Sequence, residues 1–242
     1  MDVLPGIARW FADPAHWQGS AGIPQRVLEH LVISAAALAV AAAIGLAAGI
    51  AVGHTRRWAA LAVSAANLGR ALPTIAVMAF VLPITAAIDP QNGFKVYPAV
   101  IGLIVLAIPP ILVNAYAGIR GVDPDIVEAG RAMGMRGGQL LLAVEVPLAA
   151  PVIVTGLRSA TSQVIATATL AALFGGPGLG RYLVEGYAQR DYPMMFAGVI
   201  LVGALFLAIE GAFALVETVL TPRGAPRRGS TPAGQVAASG PA

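Results

Sequence analysis

Arg70, Arg158 and Glu210 each stand inside apolar stretches that are long enough to cross a bilayer. An arginine within a span costs about 2.5–3.5 kcal/mol on insertion scales unless it is paired or reaches the interface. Such groups therefore pair, snorkel or face a wet pathway, and Arg70 with Glu210 is one candidate pair across the bundle. Around Arg158, the hydroxyls of Thr155, Ser159, Ser162 and Thr169 recur at steps of three, four and seven residues, near one helical face. A polar stripe of this kind points toward other helices or toward water. The plainer reading of Arg158 is a snorkelling or structural side chain near one end of its span.

Other chemistry is excluded by composition. Lys95 is the only lysine and sits in Gly93-Phe94-Lys95-Val96, whereas a phosphate-binding P-loop needs G-x-x-x-x-G-K-[ST]. Any ATP-driven function would need a partner to bind the nucleotide. There is no cysteine, and His16, His30 and His54 are scattered, so neither a thiolate nor a histidine metal centre is expected. A formal net charge of +3 is too small to point to nucleic acid. The polar interruption at residues 120–147 holds no nucleophile and base in a recognisable arrangement, so it is not expected to be a catalytic site, and the chain is not expected to be an enzyme.

The elements that must position these charges are membrane helices, because 57% of the 242 residues are hydrophobic and only 11% are charged, about half the charge of a soluble domain. Residues 1–26 carry Arg9, Trp10, Phe11 and Trp17 without a long apolar core and read as an interfacial segment. Residues 31–52 are uncharged and suffice for a hydrocarbon core about 30 Å thick. Gly45 and Gly49 within them offer a close approach to another helix. Residues 58–88 read as one span kinked at Pro73, and 96–119 as a third, broken at its centre by Pro109-Pro110. Residues 140–173 form a fourth and 194–220 a fifth. Gly175-Gly176-Pro177-Gly178-Leu179-Gly180 is a tight turn opening a weakly amphipathic stretch through Tyr182, Val184 and Tyr187. The tail, 223–242, is rich in Pro, Gly, Ser and Ala and is expected to be disordered. With five spans, one side gathers Arg56, Arg57, Arg120, Arg131, Arg136, Arg223, Arg227 and Arg228, and the other Arg9, Arg26, Lys95, Arg181 and Arg190. The positive-inside rule then puts the N-terminus outside and the C-terminus in the cytoplasm.

The longest polar interruption, residues 120–147, reads as an exposed helix over 124–133. Asp123 caps it, Pro124 opens it, Asp125 and Glu128 face the positive end of its dipole, and Gly134 stops it. On residues alone this is either a capped, solvated loop helix or a handle for a soluble motor.

Glu128-Ala129-Gly130, three residues, Gly134, nine residues and Val144-Glu145-Val146-Pro147 resemble the EAA loop of binding-protein-dependent ABC importer permeases of the MetI-like superfamily. That pattern is EAA, x3, G, x9, I-x-L-P; here Gly130 replaces the second Ala, Val144 the Ile and Val146 the Leu. Leu72-Pro73-Thr74-Ile75-Ala76, Gly156-Leu157-Arg158-Ser159-Ala160-Thr161, Ala166-Thr167-Ala168-Thr169-Leu170-Ala171-Ala172 and Gly178-Leu179-Gly180 are similar to the branch for glycine betaine, choline, carnitine or proline betaine.

The resemblance covers about residues 28–222 and implies an all-α polytopic membrane permease domain there, after an extracytoplasmic segment 1–27 and before a cytoplasmic tail 223–242. It implies a bacterial cytoplasmic membrane location, two ATP-binding subunits, a second permease subunit (identical or a sister) and an extracytoplasmic solute-binding protein. The exposed helix would be the coupling helix, with Glu128 as polar anchor and Ala129, Gly130 and Gly134 letting the motor approach. Gly178, Leu179 and Gly180 would lie at the outer mouth. The chain itself would carry no cofactor, ATP being bound by its partner. With 6% aromatics, the spans lack a cage for a quaternary ammonium, so tight recognition is expected in the binding protein. The rivals are a permease for methionine, taurine or another small polar solute, an ion-coupled secondary transporter relaying through Arg70, Arg158 and Glu210, and a non-transporting scaffold.

Overall fold

The computed structural model describes residues 3–220; the tail with Arg223, Arg227 and Arg228 lies outside the described residues. The described chain is helical throughout. α1 (Val3–Ala12) and a 3-10 turn (Pro14–Trp17) precede the first long helix. Asp13 starts that turn by accepting the Ala15 N–H at 2.9 Å. The amino-terminal segment is packed rather than loose: Trp10 is buried and meets Tyr182 edge to face at 5.3 Å.

Helix α2 (Ile23–Thr55) and helix α5 (Tyr97–Arg120) lie side by side, with helix α8 (Val146–Thr167) on the other flank of α5. Their shared core holds Ile33, Ala37 and Ala41 of α2, Leu103, Ala107 and Ile111 of α5, and Ala160 and Val164 of α8. Small residues set the spacing. A Cβ on Gly49 would sit 2.5 Å from the Leu112 carbonyl oxygen, and one on Gly45 would meet Ile111 at 2.9 Å. The glycine pair singled out by its spacing thus lies in the contact between α2 and α5, and Gly53 extends it against Ile119.

Two proline expectations need correction. The stretch 58–88 is not one kinked helix but α3 (Ala59–Ala71) and α4 (Thr74–Ile88), bent by 88°. Leu72, restricted by the ring that follows, and Pro73 are both extended, with ψ of 122°. Two extended residues turn the chain rather than kink it. Conversely, Pro109 and Pro110 leave α5 continuous over 24 residues. Both are buried between neighbouring helices, and Asn114 donates its side-chain N–H to the Pro110 carbonyl at 2.8 Å. Among the described residues four helices are long and apolar enough to cross a membrane, and the bent pair makes five if it counts as one span.

The fourth span runs from Gly137 to Phe174 in pieces: α7 (Gly137–Leu140), a π turn (Leu141–Glu145), α8, and a 3-10 turn (Ala168–Phe174). Pro147 explains the π turn. Its ring would strike the carbonyl four residues back, and the widened turn, closed by Val146 N–H on the Leu141 oxygen, relieves it. Gly175 and Gly178 take φ of 72° and 106°, which begins α9 (Gly180–Gln189) where only an amphipathic stretch was expected. α10 (Tyr192–Leu220) closes the described chain.

Gly49→Val should destabilise the detergent-solubilised protein by about 1–3 kcal/mol through overpacking. Gly203→Ala, where an added Cβ meets nothing within 4 Å, should leave the unfolding temperature unchanged. Equal melting of both variants would contradict the α2–α5 contact.

Candidate functional site: an exposed loop helix and a polar cavity

The loop between α5 and α7 folds as its residues dictate. Asp123 accepts the Asp125 N–H at 3.0 Å and opens α6 (Pro124–Ala132). Gly134 ends it at φ 82°, with the Met135 N–H returning to the Gly130 oxygen at 3.2 Å. Glu128 and Ala129 are exposed, and Val127 is buried against Leu140 and Ala149. Gly130 corrects the sequence reading: it faces inward, where a Cβ would meet Leu140 at 2.8 Å and Met135 at 3.3 Å. Its size serves the seating of α6 on α7, not the approach of an outside surface. Gly134 does lie open, on a groove of about 610 Å³ lined by Met133, Met135, Gly138, Gln139 and Leu142. Pro147 stands outside that groove, and its part is the π turn described above.

A side-chain contact that sequence reasoning did not bring together ties this loop to α2. His54 Nδ1 lies 2.5 Å from Glu145 Oε2, and the Glu145 side chain is only 7% exposed. The signal was present in the lone acid of Val144-Glu145-Val146-Pro147 and in His54 closing an apolar run. The 91-residue separation hid the match.

The polar stripe of α8 opens on a cavity of about 410 Å³ lined by Thr155, Arg158, Ser159, Ser162, Gln163 and Glu210. Arg158 donates from Nε and Nη2 to Glu210 Oε2 at 2.8 and 2.6 Å, and the Ser162 hydroxyl donates to the other carboxylate oxygen. The Arg158 and Glu210 side chains remain 31% and 23% exposed. Four members of the predicted stripe meet here, but Thr169 does not. It lies in the 3-10 turn and donates to its own Ala166 carbonyl at 2.9 Å. Arg70 is not the partner of Glu210: it is exposed near the end of α3 and forms no hydrogen bond or ion pair among the described residues. Gln163, missed in the sequence, joins the lining and donates to Ser159 Oγ at 3.2 Å.

At the opposite end of α8, Gly178 donates its N–H to Glu29 at 3.0 Å while Arg26 pairs with the same carboxylate oxygen at 2.9 Å. Gly178, Leu179 and Gly180 are all buried. His30 donates from Nε2 to the Ile165 carbonyl at 3.0 Å, and a Cβ on Gly178 would lie 3.1 Å from its other nitrogen. Tyr182 donates to the Ala21 carbonyl at 2.6 Å, and burial pushes its phenol above the usual tyrosine range. The glycine turn is thus pinned to the start of α2.

The chain is a multi-pass helical bundle whose second span is bent by 88°, with a loop helix seated at one end and a polar pocket bordered by α8 and α10, the architecture of a polytopic membrane protein. Residues 27–223 match the family described as binding-protein-dependent transport system inner membrane component. The chain belongs to that family. It is 33% identical over 196 residues to the glycine betaine/carnitine/choline transport system permease protein OpuCB of Bacillus subtilis, covering 81% of this chain and 87% of that protein. It is 32% identical to the osmoprotectant import permease protein OsmW of Salmonella typhimurium, covering 81% and 90%. Among solved structures, an inward-facing form of the MetNI methionine ABC transporter aligns with a TM-score of 0.74 at 22% identity, over 87% of this chain and 99% of that one. That likeness bears on the fold alone.

Glu145→Ala, which removes the hydrogen-bond partner of His54, should lower stability by about 1–3 kcal/mol. A double-mutant cycle with His54→Ala in detergent unfolding should return a coupling energy above about 1 kcal/mol. Additive losses would show that the two groups do not act as a pair.

Proposed function

We propose that this chain is the permease subunit of an ATP-driven importer that moves a small osmoprotectant, of the glycine betaine, choline, carnitine or proline betaine class, into the cytoplasm. The observation that carries the substrate class is the likeness over 81% of the chain to relatives named for those solutes. In this reading two permease subunits, identical or sisters, form the pathway. Two ATP-binding subunits drive it from the cytoplasm, and a solute-binding protein delivers from outside. The N-terminus lies outside, and α6 and the C-terminus lie inside.

The exposed α6 is then the grip. Glu128 and Ala129 present its outer surface, and the groove beside Gly134 offers apolar walls from Met133 and Leu142, which are 77% and 72% exposed. A push on α6 passes through Val127, Gly130 and Leu140 into α7 and α8, and through Glu145 and His54 into α2. The helix that carries Arg158 is thus joined to the helix that meets the motor. Nucleotide can shift the bundle between outward-open and inward-open states only if those contacts differ in strength between the two. Gly178, Leu179 and Gly180 belong to the outer mouth, where their ties to α2 make them part of the gate.

Two measurements test this. Glu128→Trp should cut ATP-driven uptake about tenfold or more, with the complex still in the membrane and still hydrolysing ATP; unchanged uptake would remove α6 from coupling. Because the natural chain has no cysteine, Arg136→Cys gives a single thiol. It should react with an impermeant maleimide in inside-out vesicles and not in intact cells. Labelling of intact cells would put the grip on the wrong side.

A further inference from the structure

The cavity between α8 and α10 has a chemistry that narrows the solute. Arg158 lies about 18 Å along its helix from Val146 at 1.5 Å per residue, well inside the span. A structural bridge there needs only to be sealed, and well-packed apolar residues often serve as well as or better than a buried ion pair. This pair is not sealed. Its two charged groups border about 410 Å³ of space whose other lining residues are the hydroxyl-bearing Thr155, Ser159 and Ser162 and the amide-bearing Gln163. The volume lies in the range of small-molecule sites, about 300–1,000 Å³.

The charges in it sum to zero and sit on two side chains that touch at 2.6 Å. A solute with a carboxylate at one end and a cationic centre at the other can exchange with the pair, carboxylate onto Arg158 and cation onto Glu210, leaving neither charge without a partner. A simple cation offers nothing to Arg158, and a simple anion nothing to Glu210. Either solute would break the pair and leave one charged side chain without its partner, which counts against it relative to a zwitterion. No aromatic face lines the cavity, so the site has no cation–π cage and would release what it holds, as a passage point must.

We propose that Arg158 and Glu210 form a transient receptor for a zwitterion, with their mutual ion pair as its empty state and the Ser162 hydroxyl holding Glu210 in place. The inference rests on the osmoprotectant reading above and deepens it, favouring betaine-like and carnitine-like solutes over choline.

The test uses the full complex, reconstituted in liposomes with its ATP-binding subunits and binding protein, and measures uptake of glycine betaine and of choline relative to wild type. Arg158→Gln should lower betaine uptake about tenfold more than choline uptake, since only the zwitterion loses its carboxylate partner. The neutral double variant Arg158→Gln with Glu210→Gln leaves no stranded charge and guards against a folding artefact. A purely structural pair predicts wild-type transport of both solutes by the double variant, whereas the receptor predicts continued loss of betaine. Equal effects on the two solutes in Arg158→Gln, or full betaine transport by the double variant, would overturn the receptor and leave the importer standing. If the wild-type complex moves neither betaine, carnitine nor choline, the osmoprotectant reading itself fails and the receptor falls with it.

Discussion

Close approach of three helices on small residues is the constraint on which the rest depends. Between lipid-embedded helices there is little water to expel, so association rests on van der Waals contact and backbone proximity. α5 is gripped from both sides in this way. On one flank, Gly45, Gly49 and Gly53 of α2 leave room for the Ile108, Leu112 and Tyr116 backbone. On the other, a Cβ on Gly118 would meet the Ala149 oxygen at 3.1 Å, and one on Gly156 the Asn114 Cβ at 2.5 Å. A helix confined this tightly tolerates two successive prolines, because its path is fixed by neighbours as much as by its own hydrogen bonds. With α5 fixed, α8 is fixed, and α8 carries the polar cavity in its middle and the loop helix at one end.

Helix order and loop chemistry were largely legible in the sequence because they depend on local rules. Asp123, Pro124 and Gly134 each act on their own few residues, and the structure uses all three as their types dictate. The apolar runs gave the spans because hydrocarbon imposes a length. The errors arose where a local signal had more than one tertiary outcome. Proline reads as a break in either context, yet Pro73, beside an extended Leu72, turns the chain by 88°, while Pro109 and Pro110, walled in, do not interrupt a helix.

Side-chain partners were the least legible part, for a reason of distance along the chain. Arg158 meets Glu210 across 52 residues and His54 meets Glu145 across 91. Charge type alone allowed Arg70 as the mate of Glu210, and nothing local distinguished the two arginines. Gly130 shows the opposite problem: the face it presents depends on Leu140, ten residues on, folding back beneath it. Thr169 fell on the right helical face by counting, yet the helix tightens to 3-10 geometry at Ala168, so the periodicity that supported the assignment ends one residue before it.

The tie between α8 and α10 is unlike the glycine contacts. α10 carries Phe196, Leu207 and Leu215 outward and shares an apolar cluster with α1 and α9 through Ala197, Trp10 and Tyr182. Toward α8 it offers the Glu210 carboxylate. Close apolar packing depends little on whether water is nearby, but an ion pair depends on it strongly: two unit charges at 4 Å attract by about 1 kcal/mol in bulk water and about 4 kcal/mol at an effective dielectric of 20. A partly exposed pair beside a cavity therefore tightens when the cavity dries and slackens when it floods. The α2–α5–α8 contacts rest on close backbone approach, whereas α10 is held by apolar packing on α1 and α9 and by the Arg158–Glu210 pair on α8.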